Sequence, residues 1–253
     1  MITLAMMTMG LFVLAVISGM LGLGVAFAAI PFLSLFMSDL VHQVQPLSLL
    51  LNGITALFSV FGFAQSGFVD WKEAITLSLV TTTFAPLGGW LASAGVVKPI
   101  YIWLIYLASV FYLAYRLLAP SKEAKTAQFS GSEEKFWVAL LLAAPISVLS
   151  GLLGVGPGFL LMPTLILVGM EPKRAAGVNA FAVTPPSFSA LIPHLSTAQF
   201  SFALTVSLLV AGALGSFLGA RLTSLYIAGP RLKQMFAVLI IVMTLYKLVT
   251  MLL

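Results

Sequence analysis

The stretch Gly19-Met20-Leu21-Gly22-Leu23-Gly24-Val25-Ala26-Phe27-Ala28-Ala29-Ile30-Pro31 interrupts an apolar run that extends from about residue 3 to residue 37. A second stretch, Gly151-Leu152-Leu153-Gly154-Val155-Gly156-Pro157-Gly158-Phe159-Leu160-Leu161-Met162-Pro163, interrupts another apolar run over 136–168. The two align without a gap, and six of thirteen positions are identical: Gly19/Gly151, Leu21/Leu153, Gly22/Gly154, Gly24/Gly156, Phe27/Phe159 and Pro31/Pro163. Four of these six are glycine or proline, residues that shared apolar composition alone does not place at fixed spacing. After a one-residue gap the register continues from Ser48/Asn179 to Gly88/Gly219. The chain therefore reads as two related halves, 1–118 and 136–253, joined by the polar connection 119–135 and forming one transmembrane domain.

Composition sets the class. The chain is 61% hydrophobic and 8% charged, against about 25% charged in an ordinary soluble domain. Its apolar runs, at about 3–37, 45–66, 74–94, 99–118, 136–168, 175–195, 200–220 and 232–252, are each long enough to cross a hydrocarbon core of about 30 Å. Only helices or a closed barrel satisfy the backbone there, and these runs are too long and too uniformly apolar for barrel strands. The expectation is an all-α, polytopic membrane bundle. The first residues lack a Lys/Arg region, so they read as mature structure rather than a signal peptide. There is no cysteine, which excludes disulfides and thiolate chemistry. The +5 net charge reads as basic cytoplasmic loops of a membrane protein, not as nucleic-acid binding.

Runs 3–37 and 136–168 are too long for one crossing, since each would make a helix of about 50 Å. A helical hairpin turning at the glycines, with two legs of about 15 residues, fits better. The basic residues test this. With hairpins at both places, Lys72, Arg116, Lys122, Lys125, Lys135, Lys173, Arg174, Arg221, Arg231 and Lys233 share one compartment, and only Lys98 and Lys247 face the other. That bias places 119–135 in the cytoplasm and both termini outside a multi-pass protein of the cytoplasmic membrane. A hairpin plus three crossings is odd, so the second half is inverted relative to the first. Inverted repeats with matching interrupted helices point to a secondary transporter with a midplane site.

The glycine turns are the first candidates for that site. Gly22 and Gly24 in one half, and Gly154, Gly156 and Gly158 in the other, allow tight turns and close backbone approach, and Pro157 suits the first turn of a new helix. Two helix N-termini meeting near the midplane would offer N–H groups to an anion. Close packing through small residues is the alternative. Among buried polar residues, Ser48, Asn52 and Thr55 are spaced along one helix face, and Asn179, Thr184 and Ser187 lie on the related helix. Such groups face a bundle interior or a ligand, and plain interhelical hydrogen bonding stays open for each. Pro185-Pro186 is expected to break or kink that helix. All seven carboxylates fall in loops or helix ends, which argues against a carboxylate proton relay or a cation site. His194 and Arg221 lie at span ends as gate or mouth candidates, with an interfacial histidine and a snorkelling arginine as the plainer readings. No Walker loop, metal-ligand cluster or nucleophile–base pair is present. No cofactor, metal or catalytic residue is implied.

These motifs resemble the sulfite exporter TauE/SafE family. The elements are GLGVAFAAIP, PLSLLLNG and GFVDWKEA in the first half, and GVGPGFLLMP and AAGVNAFA in the second. The resemblance covers nearly the whole chain. It implies export of a small sulfur-containing anion, such as sulfite or an organosulfonate, across the cytoplasmic membrane by alternating access. Two departures stand out. Val25 and Ala26 occupy places where the family has more glycine, and the loop Thr197-Ala198-Gln199-Phe200-Ser201 lacks the Gly67, Asp70 and Trp71 pattern, which suggests that Asp70 is structural in its own half. Side-chain contacts to the anion would come from Asn52, Asn179, Thr184 and Ser187. The rival readings are a passive anion channel and a non-transporting subunit that assists an enzyme. The lipid bilayer is the surrounding partner, and a homodimer stays open.

Overall fold

The computed structural model describes residues 2–93, 132–153, 155–192 and 201–252, with the single positions 101, 104, 108, 111, 112, 115, 195, 198 and 199. Most of the expected span 99–118, the connection as far as 131, Gly154 and His194 lie outside the described residues. The described chain forms α1 (Ile2–Leu21), α2 (Ala26–Leu33), a π-helical turn (Leu40–Val44) leading into α3 (Gln45–Ala64), and α4 (Trp71–Ser93). It continues with α5 (Ser132–Leu153), α6 (Gly158–Leu167), α7 (Pro172–Leu191), α8 (Phe202–Tyr226) and α9 (Gly229–Leu252). Among the described residues three stretches, Thr3–Leu21, His42–Ala64 and Phe202–Tyr226, are long and apolar enough to cross a membrane. The protein is a polytopic helical membrane protein.

Both overlong runs break at the glycines. Gly22 and Gly24 adopt φ of 63° and 70°, a left-handed backbone that glycine enters without penalty. At Gly22 the end of α1 is closed by Leu23 N–H to Ser18 O and Gly22 N–H to Gly19 O, each at 3.2 Å. That pair of bonds satisfies carbonyls that a helix end would otherwise leave open. The legs are unequal: 20 residues in α1 against 8 in α2, and 22 in α5 against 10 in α6. This corrects the expectation of two equal legs: the first legs stop near the middle of each run, at Leu21 and Leu153, but the turns take up the residues that follow, so the second helices begin only at Ala26 and Gly158. The ring of Phe32, on α2, lies against Gly10 of α1, so the short leg folds back beside the long one.

Helices of opposite halves interlock. α1 packs along α8, α5 packs along α4, and α3 and α7 pack against each other at the centre. A Cβ on Gly19 would strike the Ser216 backbone, and one on Gly151 would strike the Ala85 backbone. Conversely, Gly219 faces Val16 and Met20, and Gly88 faces Val148 and Leu152. In the repeat register these are one helix crossing made twice, with backbones close enough that only small residues fit. The opposite face of α8 exposes Val206, Val210, Leu214, Leu218, Leu222 and Leu225, an apolar stripe at helical spacing suited to lipid.

α7 runs unbroken through Pro185 and Pro186, contrary to the expected break. The carbonyl of Ala182, whose helical partner would be the missing N–H of Pro186, accepts the Thr81 hydroxyl of α4 at 2.8 Å instead. A neighbouring helix thus repairs what the proline removes.

Candidate functional site

The first turn is held from α3. Asn52, the eighth residue of that helix, accepts the Ala26 N–H through Oδ1 at 2.8 Å, and Thr55 accepts the Val25 N–H at 3.1 Å. Val25 provides no side-chain cap of its own, so the open end of α2 is satisfied by a neighbouring helix. The Ser18 hydroxyl donates to the Gly24 carbonyl.

Two asparagines then tie this turn to the other half. Asn52 Nδ2 donates to Ser187 Oγ on α7 at 2.8 Å, and Ser187 Oγ donates to the Val183 carbonyl at 2.6 Å. Asn179 Nδ2 donates to the Gly22 carbonyl at 2.7 Å. Asn52, Asn179 and Ser187 are all buried. A Cβ on Gly24 would strike Asn52 Oδ1, and one on Gly156 would sit 2.6 Å from Asn52 Nδ2. At Gly158 it would sit 2.9 Å from Asn179 Nδ2 and 3.0 Å from the Leu23 carbonyl. The absence of side chains at these glycines lets both amides lie against both turns.

The turns differ in how they are capped. In the register that pairs Ser48 with Asn179, the counterparts of Asn52 and Thr55 are Val183 and Pro186, and neither side chain can accept a hydrogen bond. α6 starts at Gly158 behind Pro157 with no side-chain cap. Its first turn therefore carries backbone N–H groups and the positive end of a helix dipole beside the two amides. Among the described residues Asn179 Oδ1 is buried without a hydrogen-bond partner, as is Ser48 Oγ one turn before Asn52. The rings of Phe27 and Phe159 stack at 5.4 Å where the two short helices begin.

Of the residues singled out from sequence, Gly22, Gly24, Asn52, Gly156, Gly158, Asn179 and Ser187 come together here. Thr184 turns its hydroxyl to the Ala180 carbonyl of its own helix at 2.9 Å, neither the neighbouring helix nor the ligand expected of it. Arg221 donates to Ser66 Oγ at 3.1 Å, apart from the turns. Gly154 and His194 lie outside the described residues. Ser18 and Thr81 were not among the sequence candidates. For Thr81 the available signal was Pro186, which obliges a carbonyl four residues earlier to find another donor.

A family model described as Sulfite exporter TauE/SafE matches residues 7–247. The chain belongs to that family. Relatives of this TauE/SafE member include a protein of Methanocaldococcus jannaschii named a probable membrane transporter, 25% identical over 195 residues, covering 73% of this chain and 70% of that one. Probable membrane transporter protein YdhB of Bacillus subtilis is 23% identical over 223 residues, covering 85% and 88%. A probable membrane transporter protein of Xylella fastidiosa is 26% identical over 198 residues, covering 76% and 74%. No solved structure matches the chain. The TauE/SafE assignment makes the protein a membrane transporter and not an enzyme.

At one end of this TauE/SafE transporter, charged residues of the two halves meet. Asp70 caps α4 by accepting the Glu73 N–H at 3.1 Å, and it also pairs with the Arg174 guanidinium of α7. Asp70 thus serves its own half, as expected, and the other half as well. Arg174 lies 3.4 Å from Glu73 Oε2, and its N–H is capped by Glu171 at 2.9 Å. Lys173 Nζ donates to the Ser224 carbonyl at 3.0 Å and lies 5.1 Å from the Phe68 ring centroid. Glu73 sits ahead of the apolar stretch of α4. Burial pushes its carboxyl above the usual carboxylate range, against the opposing pull of Arg174.

Proposed function

We propose that this transporter exports a small oxyanion, of the class of sulfite or an organosulfonate, by alternating access about the paired glycine turns. The observation that carries the reading is the buried first turn of α6, which lacks the side-chain caps that Asn52 and Thr55 give α2 and lies against two amides. A helix N-terminus of this kind attracts an anion, and no charged residue stands at the turns to hold a cation. Gly156 and Gly158 supply backbone donors. Asn52, Asn179 and Ser187 position the turns and face the ion, while Gly22 and Gly24 let the first turn approach. The family's printed description, a sulfite exporter, supports the choice of anion.

In this reading the halves 1–118 and 136–253 form inverted repeats in the cytoplasmic membrane. The end that carries Asp70, Lys173, Arg174 and Arg221 faces the cytoplasm with the 119–135 connection, and both termini face outward. The basic bias of the sequence supports that orientation.

The test is counterflow in proteoliposomes. Purified protein loaded inside with unlabelled sulfite should accumulate labelled sulfite transiently and with saturation. Flux that never saturates, or the same flux through Asn52→Asp protein shown to be folded, would remove the carrier reading at these turns.

A further inference from the structure

We infer that the anion is carried with a proton on one of its oxygens, and that Asn179 Oδ1 accepts the hydrogen bond from that O–H. The inference rests on the anion site proposed above and narrows its substrate to a protonated monoanion.

Two observations lead there. The first is a missing donor. Asn179 is wholly buried, its Nδ2 is committed to the Gly22 carbonyl at 2.7 Å, and its Oδ1 has no partner. Because Nδ2 must donate, the orientation of the amide is fixed and Oδ1 can only accept. A buried acceptor left empty is costly, so a donor is expected there during the working cycle. A fully ionised oxyanion presents only acceptors and would face this oxygen lone pair to lone pair. An anion with one O–H presents the missing donor to Oδ1, while its charged oxygens turn to the backbone N–H groups of the first turn of α6, whose Gly158 packs on the Nδ2 side of the same amide.

The second observation is the neutrality of the site. Ser18, Gly22 to Phe27, Asn52, Thr55, Gly156 to Phe159, Asn179, Val183 and Ser187 carry no charge. Of the charged groups along α7 and the elements packed on it, Arg174 is engaged with Asp70 and Glu73, Glu171 at the Arg174 N–H, and Lys173 at the Ser224 carbonyl, while on α9 Arg231 is exposed and Lys233 half-buried in the first five residues of the helix. Lys72 is exposed. Desolvating an ion scales with the square of its charge, so a dianion would lose about four times the hydration energy of a monoanion, with no cation to offset it. One proton on the substrate resolves both problems.

The test compares sulfite with methanesulfonate, a monoanion that has no O–H at any pH, by calorimetry on the purified full-length protein. Measurements run from below to above the second ionisation of sulfite. We expect sulfite affinity to fall about tenfold per pH unit above that ionisation. Methanesulfonate should bind at least about tenfold more weakly than sulfite at low pH, with a flat profile that reports any titration of the protein itself. Asn179→Leu, checked for folding, should bring the two anions to equal affinity. The wild-type comparison stands without that variant. Equal affinity of the two anions in wild-type protein would overturn the inference and leave the anion site intact, with water then the partner of Oδ1. Sulfite affinity that holds or rises with pH would also overturn it. If neither anion binds, the site reading and this inference fall together.

Discussion

Phe27 and Phe159 occupy matching positions of the two aligned glycine stretches, and their rings stack on one another with centroids 5.4 Å apart and planes inclined by 29°. A residue meets its own counterpart only close to the axis that relates two copies, as in a two-fold dimer interface. The crossings of Gly19 at Ser216 and of Gly151 at Ala85 follow the same relation farther out. The short helices α2 and α6 thus begin beside each other, and the amides of Asn52 and Asn179 lie where both turns can be reached. From this arrangement come the following expectations.

The Asn52 side chain joins two partners, the Ala26 N–H and Ser187 Oγ, so its replacements should separate stability from transport. Asn52→Ala leaves the Ala26 N–H unanswered and removes the donor to Ser187 Oγ, which should cost about 1–3 kcal/mol in unfolding free energy. Asn52→Asp keeps the acceptor for Ala26 but sets a negative charge between the turns. Sulfite flux should then vanish while thermal unfolding in detergent moves less than in the alanine variant. Equal flux in Asn52→Asp and wild type would rule this out.

The two glycine crossings should respond alike. Gly88→Ala and Gly219→Ala each press a methyl group into the backbone of the facing helix, a misfit of about 1–3 kcal/mol. Unfolding measured for both variants should drop by similar amounts. Loss at one site with none at the other would contradict the equivalence of the crossings.

Thr81→Val removes a hydroxyl while keeping shape. It leaves the Ala182 carbonyl unpartnered beside Pro186 and should destabilise by about 1–3 kcal/mol. Thr83→Val, on the exposed side of the same helix with its hydroxyl on the Leu79 carbonyl, should be close to neutral. A reversed order would show that the α4–α7 bond matters little.

The Asp70–Arg174 pair is about one-third exposed on both sides, so a double-mutant cycle with Asp70→Asn and Arg174→Gln should give a coupling on the order of 1 kcal/mol. No measurable coupling would mean that the pair does not join the halves.

Glu73 should leave a signature in pH. Its carboxyl is pushed up by burial, so the folded state holds a proton that the unfolded chain has already released. Stability should therefore fall as pH rises from the ordinary glutamate range through the raised value of the folded state. In Glu73→Gln this fall should be absent. A wild-type profile that climbs over the same window would reverse the sign and refute the assignment.

Much of this was legible in the sequence because glycine and proline carry local geometry. Gly22 and Gly24 marked the break, and the match of Gly151 to Pro163 with Gly19 to Pro31 located its twin. Helical spacing brought Asn52 and Thr55 onto one face, where both reach the α2 N-terminus. What stayed hidden depends on partners far apart in the chain. Nothing around Thr81 announces a carbonyl 101 residues away, and nothing around Asp70 names Arg174. The leg lengths were missed because an apolar run does not show how many residues its turn takes up or where its second helix ends; in the first half Gly22 and Gly24, both left-handed, hold that turn. Thr184 was expected to reach a neighbouring helix or a ligand, and its spacing does not show that its hydroxyl turns back to Ala180 of its own helix.

The crossing of α1 with α8 has a consequence for biosynthesis. Gly19 meets Ser216, so α1 finds this packing partner only after nearly two hundred further residues have been made. Until then its small-residue face is offered to lipid or to the insertion machinery. The bundle therefore locks late, and a nascent chain stopped before α8 would hold α5 against α4 while leaving the Gly19 face of α1 uncovered.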